Sequence, residues 1–104
     1  MYWWTDYIML KQPTRYNHKQ MKWFVYIIRC SYNSLYTGIT TDIKRRFKEH
    51  NEQGAKTAKY LRGRGPLSLV YSIEAESKND ALHLEHEIKN MSKKEKEALI
   101  STKV

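Results

Sequence analysis

The apolar positions of this chain follow two periods, and the switches between them mark its elements. Residues 23–29 (WFVYIIR) are almost continuously apolar and rich in β-branched and aromatic side chains, which predicts a strand covered on both faces in the middle of a sheet. Residues 31–34 are a polar turn, and residues 35–39 predict a second strand that closes a hairpin. The turn at Tyr32-Asn33-Ser34 lacks the glycine of a tight hairpin, so a longer or strained connection is expected. Asp42 then opens a helix that runs to about residue 53, with its carboxylate well placed at the amino end. Residues 54–66 read as a loop rich in Lys, Arg and Gly, and residues 67–75 as a third strand. Ser77 with Asp80, and Ser92 with Glu95, have capping-box spacing and start two further helices. The predicted order is β-β-α-β-α-α, an α/β (α+β) domain without internal repeats.

Residues 1–20 differ from the rest. Trp3, Trp4, Tyr7, Ile8, Met9 and Leu10 form a short aromatic cluster, after which Pro13 and the polar run 14–20 break any pattern. The domain is expected to span residues 21–104, with residues 1–20 an appendage that is disordered, an edge strand or a partner-docking tail.

Helical periodicity singles out Glu85. Over residues 77–91, at 100° per residue, Ala81, Leu84, Ile88 and Met91 form one apolar stripe with Leu82 just beyond its edge. Glu85 projects between Ala81 and Leu82, whereas His83, His86 and Glu87 take the solvent side. A buried carboxylate is costly unless something binds it, so a metal ion or a buried arginine is its natural partner. The alternative is a glutamate at the stripe's edge that reaches water through its own stem, and periodicity does not choose between the two.

The preceding helix repeats the pattern. Ile43 and Phe47 mark its buried stripe, and Arg46 and His50 share a face immediately beside it, while Lys44, Arg45, Lys48 and Glu49 point elsewhere. An arginine held there offers a planar fork of donors to a phosphate, and a histidine can exchange a proton near neutral pH. An ordinary basic helix, its arginine stem covering apolar surface, is the alternative. On the hairpin, Tyr26 shares a face with Phe24 and Ile28, and Tyr36 shares one with Gly38. A glycine inside a strand marks a place where a ligand or another backbone comes close, and a phenol there can orient a water. Either tyrosine taken alone reads as core with a satisfied hydroxyl.

Charge narrows the class of partner. In 104 residues there are 19 Lys and Arg against 11 Asp and Glu, a formal net charge of +8, which favours a polyanion such as nucleic acid. The single cysteine, Cys30, excludes an internal disulfide and fits a reducing compartment. No apolar run approaches the roughly 20 residues of a membrane span, and the start does not read as a signal peptide, so a soluble cytoplasmic protein is expected. His83 and His86 face solvent with no cysteine nearby and make a poor zinc site.

Together VYI at 25–27, YTG at 36–38, Arg46, His50 and Glu85 resemble the GIY-YIG nuclease superfamily. Residues 21–100 are similar to its short stand-alone bacterial domain proteins, most closely in WFVYIIRC, SLYTGITTDIKRRFKEHN, AKYLRGRGP and LVYSIEAESKNDALHLEHEIK. Phe24 and Val25 stand where the name-giving Gly and Ile would be, and Thr37 replaces the second Ile. The resemblance implies a small three-stranded antiparallel sheet flanked by helices and a metal-dependent endonuclease cutting phosphodiesters, with DNA placed before RNA and repair or processing as its setting. It implies Tyr26 and Tyr36 as paired catalytic tyrosines beside Gly38, Arg46 as the catalytic arginine, and His50 as an accessory polar residue. Glu85 would be the ligand of one Mg²⁺ or Mn²⁺ ion.

On that basis Tyr26, its proton drawn off with help from His50 or the metal, is expected to activate a water, with Tyr36 fixing it or a phosphate oxygen and Arg46 stabilising phosphoryl charge. Lys56, Lys59, Arg62 and Arg64 are expected to hold the nucleic-acid backbone, unless their glycine-containing loop is disordered. A homodimer or a partner protein would add binding surface. Two other classes compete. A non-catalytic nucleic-acid-binding module has no reason to keep Glu85 on a core face, and an adaptor anchored by Trp3, Trp4 and Tyr7 predicts binding that survives high salt.

Overall fold

A computed structural model describes residues 21–102. The expected appendage at 1–20, and the adaptor reading built on it, lie outside the described residues. β1 (Trp23–Arg29) is the middle strand of a three-stranded antiparallel sheet, flanked by β2 (Leu35–Thr40) and β3 (Ser68–Ala75). Its apolar residues on both faces explain the position: Val25 and Ile27 enter one core with Tyr71, whereas Tyr26 and Ile28 enter another with Leu61. Three helices complete the domain: α1 (Ile43–Asn51), α2 (Lys78–Lys89) and α3 (Lys93–Ser101). Phe47 of α1 packs on the Tyr26 face, and Ala81 and Ile88 of α2 with Leu99 and Ile100 of α3 pack on the Val25 face. The β-β-α-β-α-α order and the α+β class are as the sequence predicts.

The helix starts rest on the capping residues. Asp42 accepts a hydrogen bond from the Arg45 N–H and Ser77 from the Asp80 N–H, and Ser92 with Glu95 completes a reciprocal box. The α1 helix stops two residues short of the predicted end, because Gln53 adopts a left-handed backbone (φ 56°) and turns its amide back onto the His50 and Leu61 carbonyls. The hairpin without a glycine places Tyr32 (φ 60°) and Asn33 (φ 61°) in the left-handed region, at a cost of about 1–3 kcal/mol each. The Cys30 N–H to Ser34 carbonyl bond (2.9 Å) and a contact from Lys93 Nζ to the Asn33 carbonyl hold it closed.

The basic segment is not a structureless loop. A short 3₁₀ turn, Lys59–Leu61, buries Leu61 completely beneath the Tyr26 face. Gln53 accepts from the Gly63 N–H (2.7 Å), and the Ser31 N–H reaches the Arg64 carbonyl (2.8 Å), so the segment is pinned at both the helix and the hairpin. Among the described residues no helix is long and apolar enough to cross a membrane.

Candidate functional site

The antiparallel register sets Tyr26 opposite Gly38 and Ile28 opposite Tyr36, so both tyrosines project from one face of the hairpin. Tyr26 lies across Gly38: a Cβ there would sit 2.5 Å from the Tyr26 hydroxyl and 2.7 Å from Cζ. Only glycine leaves room for the ring. The strand glycine therefore accommodates a side chain of the protein itself. The two tyrosine rings are 6.3 Å apart, and His50, from the last turn of α1, closes the triangle at 6.0 Å from Tyr26 and 5.7 Å from Tyr36.

His50 is fully buried and bonded through both ring nitrogens. Its Nδ1 accepts from the Ala58 N–H (3.2 Å), and its Nε2 lies 3.0 Å from the Tyr26 hydroxyl. A backbone N–H can only donate, so Nδ1 carries no proton and the neutral ring bears it on Nε2. Nε2–H therefore donates to Tyr26 Oη, and the phenolic O–H is left to point elsewhere. Burial, reinforced by the Arg46 guanidinium and opposed by Glu49, lowers the His50 pKa to about 4. The expectation that His50 helps draw off the Tyr26 proton fails on both counts: the facing nitrogen already holds a proton, and the ring resists a second. Burial, with Tyr36 close by, also pushes the Tyr26 phenol well above its ordinary value, against the pull of Arg46. Tyr26 is a neutral phenol at physiological pH.

Arg46 stands beside this group. Its guanidinium bears on Tyr26, donates to Glu49 (2.8 Å) and donates to the Lys56 carbonyl (2.7 Å). Burial works against its charge, and Glu49 with Tyr26 more than compensates, so its pKa rises. Glu49 also takes Arg45 at 3.1 Å, and Arg46 first, then Arg45, hold its carboxyl below the ordinary range. The expectation that Glu49 points away from the Arg46 face is thus corrected: its spacing of three from Arg46 and four from Arg45 is the signal that would have found it. Thr57, buried, ties the segment back to α1 by donating to the Glu49 carbonyl at 2.8 Å.

The arginines of the segment are exposed but occupied. Arg62 donates to the Ala55 carbonyl (3.3 Å), and Arg64 lies 4.4 Å from the centroid of Tyr60, which in turn stacks on Tyr36. Lys56 and Lys59 reach solvent. Tyr60 is a site-wall residue that sequence reasoning passed over; an aromatic set among lysines and arginines is its signal.

Glu85 sits apart from these contacts. Its helix packs on the opposite, Val25 face, and the carboxylate pairs with Lys89 at 3.3 Å, one turn on. Its side chain is 18% exposed, and Leu82 is 42% exposed, so the position is the rim of the stripe. Among the described residues no arginine pairs with it. Among the described residues no group of three or more His, Cys, Asp and Glu could cage a metal. A half-buried carboxylate whose ionic partner among the described residues is a flexible lysine does fit a hard cation that keeps most of its waters, and does not fit a transition-metal cage.

The comparisons agree with this architecture. A model of the GIY-YIG catalytic domain matches residues 22–98. A UPF0213 protein of Vibrio cholerae is 55% identical over 80 residues, covering 76% of this chain and 77% of its own length. The UPF0213 protein YhbQ of Escherichia coli is 47% identical over 79 residues, covering 76% and 77%. The solution NMR structure of a UPF0213 protein from Bacillus halodurans matches with a TM-score of 0.52 at 47% identity, over 80% of this chain and 86% of that one. With Tyr26 lying across the glycine of a β-hairpin beside Tyr36 and the domain model matched over most of its length, the chain belongs to the GIY-YIG catalytic-domain family, beside the short bacterial UPF0213 proteins.

Proposed function

We propose that this protein is an endonuclease that hydrolyses phosphodiester bonds in nucleic acid, DNA first, in a cytoplasmic repair or processing role. The observation that carries the reading is the joining of Tyr26, Tyr36, His50 and Arg46 into one polar group on a glycine floor. A fold that needed only packing would fill this face with apolar side chains.

The roles follow from the hydrogen bonds. His50 is a positioning residue: its Nε2–H holds the Tyr26 oxygen in place and turns the phenolic hydrogen away from the imidazole, toward the side where Tyr36 and Arg46 stand. Tyr26 orients the attacking water as a neutral phenol. Tyr36 fixes the water or a phosphoryl oxygen from the side. Arg46, released from the Lys56 carbonyl, turns its fork toward the phosphoryl oxygens, where charge grows in the transition state. Glu85, freed from Lys89, would hold a Mg²⁺ or Mn²⁺ ion. Such a cation would lower the pKa of a bound water, giving a hydroxide to take the attacking water's proton, and would offer a counter-charge to the leaving oxygen. Lys56, Lys59, Arg62 and Arg64 hold the flanking backbone in a salt-dependent way.

A binding module that cuts nothing is the second reading. It draws support from Arg46, which in the free protein is held by Glu49 and a carbonyl. Purified protein incubated with Mg²⁺ and a panel of duplex, nicked, branched and single-stranded DNAs and RNAs decides between them, with Glu85→Gln alongside. Cleavage by the wild type and at least a 100-fold loss in the variant is expected, the scale of removing a group that stabilises developing charge. Metal-dependent cleavage that survives Glu85→Gln would sink the scheme, and binding without cleavage by either protein would leave the binding module.

A further inference from the structure

We infer that Tyr60, with Arg64, is a stacking platform for an unpaired nucleobase next to the phosphate held at Tyr26, Tyr36 and Arg46. This rests on the phosphodiester reading and narrows its substrate to nucleic acid with an unpaired base at the cut: a single strand, an overhang or an opened junction.

The support is geometric. Tyr60 stacks on Tyr36, with centroids 5.9 Å apart and planes inclined by 21°, while Tyr36 in turn meets the edge of His50. The stack thus runs from the polar group outward to a ring that is 41% exposed. Packing does not account for it. The neighbours Leu61 and Ala58 join the apolar core on this face, and Tyr60 does not. The ring is nonetheless held: it sits on the Lys59–Leu61 turn, which is anchored by fully buried Leu61 on one side and by the Ala58 N–H to His50 bond on the other. A pre-positioned flat ring with a free edge costs little entropy to use.

The electrostatics complete the platform. The Arg64 guanidinium lies 4.4 Å from the Tyr60 centroid, over the ring, so a base that stacks on this face displaces it and leaves the cation to cover the base's far side. Lys59 and Arg62 flank the same turn at the surface, where a sugar-phosphate backbone would run. A base inside an intact duplex has both faces covered by its neighbours, so it cannot stack here. The platform selects unpaired bases without selecting their sequence, because every base has a π-face.

The test measures binding by fluorescence anisotropy in EDTA, so that cleavage does not intrude. The probes are a labelled oligothymidine strand, an abasic strand of equal length and a fully paired duplex. Tyr60→Leu is expected to weaken the base-bearing strand about 10-fold to 100-fold and leave the abasic strand and the duplex unchanged, while Tyr60→Phe keeps wild-type affinity. The unchanged probes also show that Tyr60→Leu is folded. Equal loss on all three probes, or loss on none, would overturn the platform, as would a wild type that does not separate the base-bearing strand from the abasic one. Repeating the strand with Mg²⁺ separates the two levels: base discrimination without cleavage keeps the platform and removes the nuclease.

Discussion

The two faces of the sheet are built on opposite principles. On the Tyr26 face, polar groups are buried and joined: His50 and Thr57 are each within 3% of full burial, and each makes bonds that cross from one element to another. On the Val25 face, the core is apolar, with Tyr71 among its aliphatic residues, and Glu85 stands at the rim of the packed helix stripe beside a lysine from its own helix. A buried polar network is satisfied only in one arrangement, because each unmet donor or acceptor costs about 1–3 kcal/mol. A rim carboxylate can exchange its partner at almost no cost. The first arrangement is fixed by its bonds, and the second leaves Glu85 free to change partner.

If the comparison is right, acid should attack the first face before the second. The His50 pKa falls from 6.5 to about 4 on folding, so the unfolded chain binds the proton more readily. The stabilisation is then fully present above about pH 6.5 and is lost as pH falls from there toward 4. The loss should approach 3 kcal/mol, from roughly 1.4 kcal/mol for each pKa unit. Urea unfolding of the wild type and His50→Gln across this window measures it. The variant should be less stable at pH 7 and should lose the slope between pH 6.5 and 4. A wild-type slope that persists in His50→Gln would place the acid sensitivity elsewhere. Glu97, whose carboxyl is lowered to about 2 first by its hydrogen bond from Arg29, begins to contribute only below about pH 5 and does so in both proteins, so the difference between them reports His50.

A smaller effect should follow from filling the glycine floor. In Gly38→Ala the new methyl would meet the Tyr26 oxygen, which His50 prevents from moving aside. Overpacking of this kind costs about 2 kcal/mol, or roughly 8–16 °C in Tm for a domain of this size. A Gly38→Ala protein with unchanged Tm would show that Tyr26 does not lie across the glycine.

Much of this arrangement was legible in the sequence. The apolar run of β1 announced a central strand, the Ser and Asp caps announced the helix starts, and period-two alternation put Tyr36 with Gly38. The four-residue spacing put Arg46 and His50 on one face of α1 because a helix turn fixes that relation. The rest depended on contacts between elements. Nothing local reveals that the Ala58 N–H will meet His50 Nδ1, and that one bond reverses the direction in which His50 and Tyr26 share a proton. Leu61 is a single apolar residue among lysines, arginines and glycines, with no period to betray its burial. For Glu85 the pattern left two readings open, and the structure places it at the edge of the stripe, with a lysine partner that neither reading named.

The smallest predicted effect probes that rim. Lys89→Ala removes the only ionic partner of Glu85 among the described residues, at a pair whose lysine is 54% exposed. Helix pairs of this spacing contribute about 0.3–0.5 kcal/mol, so Tm should fall by no more than about 4 °C. The change should be as small at pH 5 as at pH 7, since the Tyr26 network is untouched. The same substitution should tighten Mn²⁺ binding, read by water-proton relaxation without any nucleic acid, because the carboxylate no longer has a cation to give up. A large loss of stability would mean that Glu85 is held as firmly as His50 and that the two faces are alike. Unchanged Mn²⁺ binding in Lys89→Ala, with binding abolished in Glu85→Gln, would mean that the lysine swings clear at no cost and the carboxylate is free to begin with.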